Sequence, residues 1–174
     1  WRETLLRPGL QAERWMYPHN NNAVAWGILT TRSDMPGTPD EWSIYSHENA
    51  TGDLTTGAIR RYTIRQYGFV SVHAPLSGGE LIMKLITFDD AQLKINFSTS
   101  AAGSVRIELQ DSRGKPIEGY AVDDCPEIFG DQIQHPVSWT KGHNVSRLAG
   151  KPVRLRFQLK DADLYSFRFC NKGV

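Results

Sequence analysis

Apolar residues fall at every second position through much of the chain, most regularly from Val153 to Phe169. Val153, Leu155, Phe157 and Leu159 alternate with Arg154, Arg156, Gln158 and Lys160, the period of a strand with one face on a core and one in water. Leu164, Ser166 and Arg168 then alternate with Tyr165, Phe167 and Phe169. The short run Asp161-Ala162-Asp163 between the two segments predicts a hairpin connection. A lone strand pair is marginal in water, so the rest of the chain is expected to supply a partner layer.

The same pattern predicts strands over 23–29, 41–47, 58–66, 69–73, 80–85, 93–97, 104–110, 117–122 and 133–139. Ser33–Asp40 is rich in breakers and reads as a long loop. Asp111-Ser112-Arg113-Gly114 is a turn with glycine where positive φ is expected. Asn144–Gly150 reads as a short helical turn stopped by Gly150. No stretch of ten residues keeps a 3.6 period, and the many short strands predict an all-β fold, an antiparallel β-sandwich of jelly-roll type.

Residues 1–60 differ from the rest. They hold four of the five tryptophans (Trp1, Trp15, Trp26, Trp42) and the polar tract His19-Asn20-Asn21-Asn22. The expected organisation is therefore an aromatic-rich segment of strands and loops over 1–60 and a sandwich over 61–174.

At 174 residues the chain is long enough for one domain with a substantial core. With 20 Lys+Arg against 19 Asp+Glu the net charge is +1. The arginines alternate along strands, and no basic stripe of the nucleic-acid-binding kind is formed. No run of 18 apolar residues occurs, so no membrane partner is expected. A start at Trp1 without a signal-peptide core reads as a processed product or an excised piece. Cys125 and Cys170 are read as free buried thiols, with a disulfide between them as the alternative. Of three glycosylation sequons, at Asn49, Asn96 and Asn144, the second falls mid-strand, so the set reads as chance.

Several runs resemble a known arrangement. They are Arg61-Tyr62-Thr63-Ile64-Arg65, Gly68-Phe69-Val70-Ser71-Val72-His73-Ala74-Pro75, Gly78-Gly79-Glu80, Asp124-Cys125-Pro126, Gly130-Asp131, Leu148–Phe157 and Asp161–Phe167. Together they resemble the C-terminal β-sandwich that follows the five-bladed catalytic propeller in bacterial proteins related to glycoside hydrolase families 32 and 43. Arg7-Pro8-Gly9-Leu10 and Asp40–Tyr45 resemble the end of the last propeller blade. The resemblance implies an accessory module, with its own propeller domain as a partner and an extracellular or periplasmic location. It carries no catalytic residue onto this chain, because the family's acids lie on earlier blades.

The residues themselves point the same way. A glycosidase needs two carboxyls facing each other across a cleft. Glu48, Asp53, Asp123, Asp124, Glu127 and Asp131 are loop candidates, but no spacing selects a pair. A small autonomous glycoside hydrolase is thus the alternative, as is a purely structural domain packing on a propeller. No G-x-S-x-G elbow and no paired-histidine metal spacing occurs. Asp123, Asp124 and Asp131 flank one loop and are candidate ligands for structural calcium; the competing use is turn formation. No other cofactor is expected. Sugars stack their C–H faces on aromatic rings while polar neighbours bond the hydroxyls. Trp15, Tyr17, Trp26, Trp42 and Tyr45, set among Asn20, His47 and Glu48, are the candidate surface for a polysaccharide or oligosaccharide. For Trp26 and Trp42, inside predicted strands, core packing is the preferred reading; Trp15 and Tyr17 are expected to be exposed.

Overall fold

The alternating segments become strands in a computed structural model, which describes Leu6 and residues 23–48 and 58–171. All of the described sheet pairing is antiparallel and the fold is all-β, sandwich-like in class. The chain divides into two compact units, Trp1–Gln66 and Tyr67–Val174.

In the first unit β3 (Glu41–Glu48) is central. Strand β4 (Ala58–Arg65) runs along one edge of it from Glu41↔Arg65 to Glu48↔Ala58. The other edge is shared by two short strands, β1 (Ala23–Val24) against Ser46 and His47, and β2 (Leu29–Thr31) against Glu41 to Ser43. The sequence pattern predicts one strand over 23–29. Gly27, at φ +96°, turns the chain inside that span and breaks it in two.

The second unit is built on two long strands, β7 (Gln92–Gln110) and β9 (Arg154–Cys170), paired from Gln92↔Cys170 to Gln110↔Arg154. The free edge of β9 takes β6 (Gly79–Ile82) along its first half and β5 (Val72–Ala74) along its second. Strand β8 (Asp131–Pro136) lies on the other side of β7. The hairpin expected at Asp161–Asp163 does not form. Asp161 adopts φ +41° and the strand continues through it, because β7 carries a matching irregularity between Thr99 and Ser104. A Cβ at Gly103 would collide with the Asp161 carbonyl oxygen and stand 2.7 Å from that of Lys160, so the close approach requires glycine.

A second irregularity falls at Tyr165, between the pairs Asn96↔Ser166 and Phe97↔Leu164. The extra residue brings Leu164 onto the same face as Phe167 and Phe169, although the plain alternation sets them apart. That face meets Leu93, Ile95 and Phe97, then Val105, Ile107 and Leu109, against Leu155, Phe157 and Leu159. The segment between β7 and β9 covers this layer with Tyr120, Cys125, Ile128, Val137, Trp139, Val145 and Leu148. Trp139 is core, as expected: its indole N–H donates to the Ile107 carbonyl at 2.9 Å and its ring stands edge-on to Tyr120. The span 117–122 is loop leading into a 3-10 turn, Val122–Asp124, rather than a strand. The turn ending at Gly150 (φ +72°) forms as read, over Ser146–Leu148. Both cysteines are buried and free.

Candidate functional site

The aromatic set expected to face a glycan does not form one surface. Trp15, Tyr17 and Asn20 lie outside the described residues. Along β3 the side chains alternate, so Tyr45 and His47 share a face with Glu41 and Ser43. Trp42 and Glu48 share the opposite face with Ile44 and Ser46. Trp26 is not core: it stands in the β1–β2 connection with its whole side chain in solvent. Trp42, which does lie within a strand, is half-buried.

The polar residues around these rings are engaged with one another. Arg61 donates from Nε to Ser43 Oγ at 2.8 Å, from Nη1 to the Asp34 carboxylate at 3.1 Å, and from Nη2 to Glu41 at 2.6 Å. Glu48 accepts from the Tyr62 hydroxyl at 2.7 Å and pairs with Arg60 at 2.8 Å. These carboxylates hold arginines across neighbouring strands, which fixes the register of the sheet.

The loop acids of the second unit also have local work. Asp124 Oδ2 accepts the Ala121 N–H at 3.0 Å, and its carbonyl oxygen receives the Thr140 N–H at 2.8 Å. Asp123 is exposed in the same turn, and Asp131 opens β8 opposite Ser98. Among the described residues no three His, Cys, Asp or Glu side chains are arranged to hold a metal ion. Of the calcium candidates Asp123, Asp124 and Asp131, Asp124 serves as a turn former. Glu127 pairs with Arg106 at 3.4 Å; Asp53 lies outside the described residues.

Two clefts on the second unit are chemically distinct. The larger, of about 350 Å³, is bordered by Glu80, Arg106, Glu127, Gln158 and Lys160. Glu80 is held by Arg156, which donates at 2.5 Å, and this bond is the main reason its carboxyl stays below the usual carboxylate range. A carboxyl held ionised in this way is unsuited to be the proton donor of glycoside hydrolysis, which needs a raised pKa. Arg156 also reaches inward to Glu108, which is only 2% exposed and accepts as well from Gln110 and the Val122 N–H.

The smaller cleft, of about 230 Å³, is bordered by Tyr67, Lys94, Asn96, Ile133, Ser166, Phe167 and Arg168. Its floor is two successive cross-strand pairs, Lys94↔Arg168 and Asn96↔Ser166, on the face of β7 opposite Leu93, Ile95 and Phe97. Asn96 is buried there, and Arg168 donates to Gln134 at 2.7 Å. Tyr67 is a non-glycine residue at φ +54°, and 57% of its surface is exposed. The sequence pattern did not single out these residues. Each polar member sits where alternation requires a solvated face, and only the register shows that they adjoin.

Comparison with protein-family models, with curated proteins and with solved structures finds no match for this chain.

Proposed function

We propose that the chain is a non-catalytic accessory module that binds carbohydrate, part of a polysaccharide-active protein working outside the cytoplasm. The observation that carries this reading is the smaller cleft of the second unit. It sets the exposed phenol ring of Tyr67 beside an amide, a hydroxyl and two cations, the mixture a sugar ring needs for stacking and hydroxyl recognition. A volume of about 230 Å³ suits one sugar ring rather than a drug-sized ligand. Binding would be weak and without chemistry. The resemblance of Arg60–Phe169 to sandwiches that follow hydrolase propellers, jelly-roll modules included, supports the same class.

A second reading, a structural domain that packs on its own propeller, is favoured by a specific observation. In the first unit Leu29 and Ile59, cross-strand from Ser43 and His47 on one face of the sheet, are exposed, as are Trp26 and Ile28 in the β1–β2 connection, apolar residues of the kind that mark an interaction site.

Affinity electrophoresis against a panel of plant and algal polysaccharides, run beside a reducing-sugar assay, separates these readings. Retardation without sugar release, weakened in Tyr67→Ala, is the expected result. Self-association without retardation would favour the packing domain. Sugar release would return attention to Glu48, Glu127, Asp123, Asp124 and Asp131 as acids of an autonomous hydrolase.

A further inference from the structure

The two clefts of the second unit belong to one surface. The pair Asn96↔Ser166 borders the smaller cleft and the pair Arg106↔Gln158 borders the larger. The β7–β9 ladder runs between them in six steps, and because side chains alternate, an even count returns both pairs to the same face. The odd steps place Phe97, Val105, Leu159, Ala162 and Leu164 in the core. The even steps place Ser98↔Asp163 and Ser104↔Lys160 on the outer face. Tyr165, the extra residue between Leu164 and Ser166, reaches that face too, with its hydroxyl 3.3 Å from Ser98 Oγ. At about 3.3 Å per step the clefts stand about 20 Å apart.

This track is polar from end to end and lies on the two central strands, flanked by β6 and β5 on one side and β8 on the other. An extended peptide would add at a sheet edge through main-chain hydrogen bonds. A chain laid along the centre of a sheet can be met only by side chains. Hydroxyl, amide and charged groups at every second step, with an aromatic ring among them, suit a chain of hydroxyl-bearing rings.

We propose that this outer face binds an extended oligosaccharide segment lying along β7 and β9, with a ring in each cleft and the intervening rings over Tyr165, Ser98 and Ser104. The inference rests on the carbohydrate reading and adds the class of ligand to it: internal stretches of a long chain rather than a single terminal sugar. Asn96 and Ser166 meet hydroxyls at one end, Gln158 and Lys160 at the other.

The test uses the full chain and titration calorimetry with cello-, xylo-, galacto- and galacturono-oligosaccharides of two to eight rings. In the series that binds, affinity should climb with length by about tenfold or more before it levels, because the second cleft adds one or two net hydrogen bonds. Gln158→Ala and Lys160→Ala should each weaken the eight-ring ligand several-fold, with Tm unchanged in Lys160→Ala because that side chain is exposed. Affinity that stops growing at two rings would confine recognition to one cleft and overturn the inference, leaving the carbohydrate reading in place. Unchanged eight-ring affinity in both Gln158→Ala and Lys160→Ala would do the same. Binding in none of the four series would also overturn it, and if no polysaccharide is retained on the wider panel either, the carbohydrate reading itself falls.

Discussion

Burial decides the chemistry of the single residues whose behaviour is easiest to check. The Cys125 thiol is pushed up by desolvation, and Cys170 is buried at the end of β9. Both should be silent to a thiol reagent in the native protein and react fully only in denaturant. A thiol titrating at once in buffer would contradict the packing. His135 is held below its ordinary value, first by burial and then by the charge of His143. A histidine with a depressed pKa resists a proton that the unfolded chain accepts. Its stabilising effect is therefore whole above about pH 6.5 and declines as the pH falls below that value. Glu80 has the same sign in a more acidic window, because Arg156 lowers its pKa and the contribution is lost on protonation. Calorimetry from pH 8 to pH 5 should show Tm falling, with a shallower fall in His135→Gln. At this scale the sequence was a partial guide. The free thiols and the core role of Trp139 were legible from residue type and pattern. The exposure of Trp26 was not, because one glycine in a short apolar run changed what its neighbour faces.

At the scale of elements, alternation identified strand material better than strand ends. β3 and β4 lie close to where the period places them. The runs over 93–97 and 104–110 proved to be one strand, and so did the two halves of β9. Small and acidic residues at 98–103 and 161–163 read as turns because turns use those residue types. Here they accommodate an irregularity shared by two paired strands, which is a tertiary fact invisible to local pattern. Gly103 gives the sharpest test. In Gly103→Ala the new methyl meets the backbone oxygens of Lys160 and Asp161, and displacing either opens the β7–β9 ladder. A loss of about 1–3 kcal/mol is expected in urea unfolding, the usual range for overpacking. Asp161→Gly should be tolerated, since glycine adopts the φ +41° found there without strain. The candidate cleft also belongs to this scale: Lys94, Asn96, Ser166 and Arg168 are polar positions of two separate strands, joined only by the register.

Across the molecule the two units are unequally founded. Every member of the buried hydrophobic cluster lies between Ala74 and Leu164. In the sheet of the first unit Ile44 is the sole buried hydrophobic residue among those described, beside buried Ser43 and Ser46. A fragment of residues 67–174 should therefore fold alone and melt cooperatively near the main transition of the full chain, as followed by tryptophan fluorescence from Trp139. A fragment without cooperative melting would show that the first unit is needed for the core. The imbalance was not legible beforehand, since Trp26 and Trp42 in predicted strands read as core, whereas Trp26 is exposed and Trp42 half-buried. The pairing of β9 has one more consequence, for how the protein comes into being. On the ribosome β5, β6 and β7 emerge early, yet their shared partner is the last strand described. Until Arg154–Cys170 leaves the exit tunnel, β5, β6 and the edge of β7 away from β8 lack their partner, and pairing over such sequence distance closes slowly. Folding of the second unit therefore waits for β9, and a chain cut short before Arg154 leaves these three strands without the partner they share.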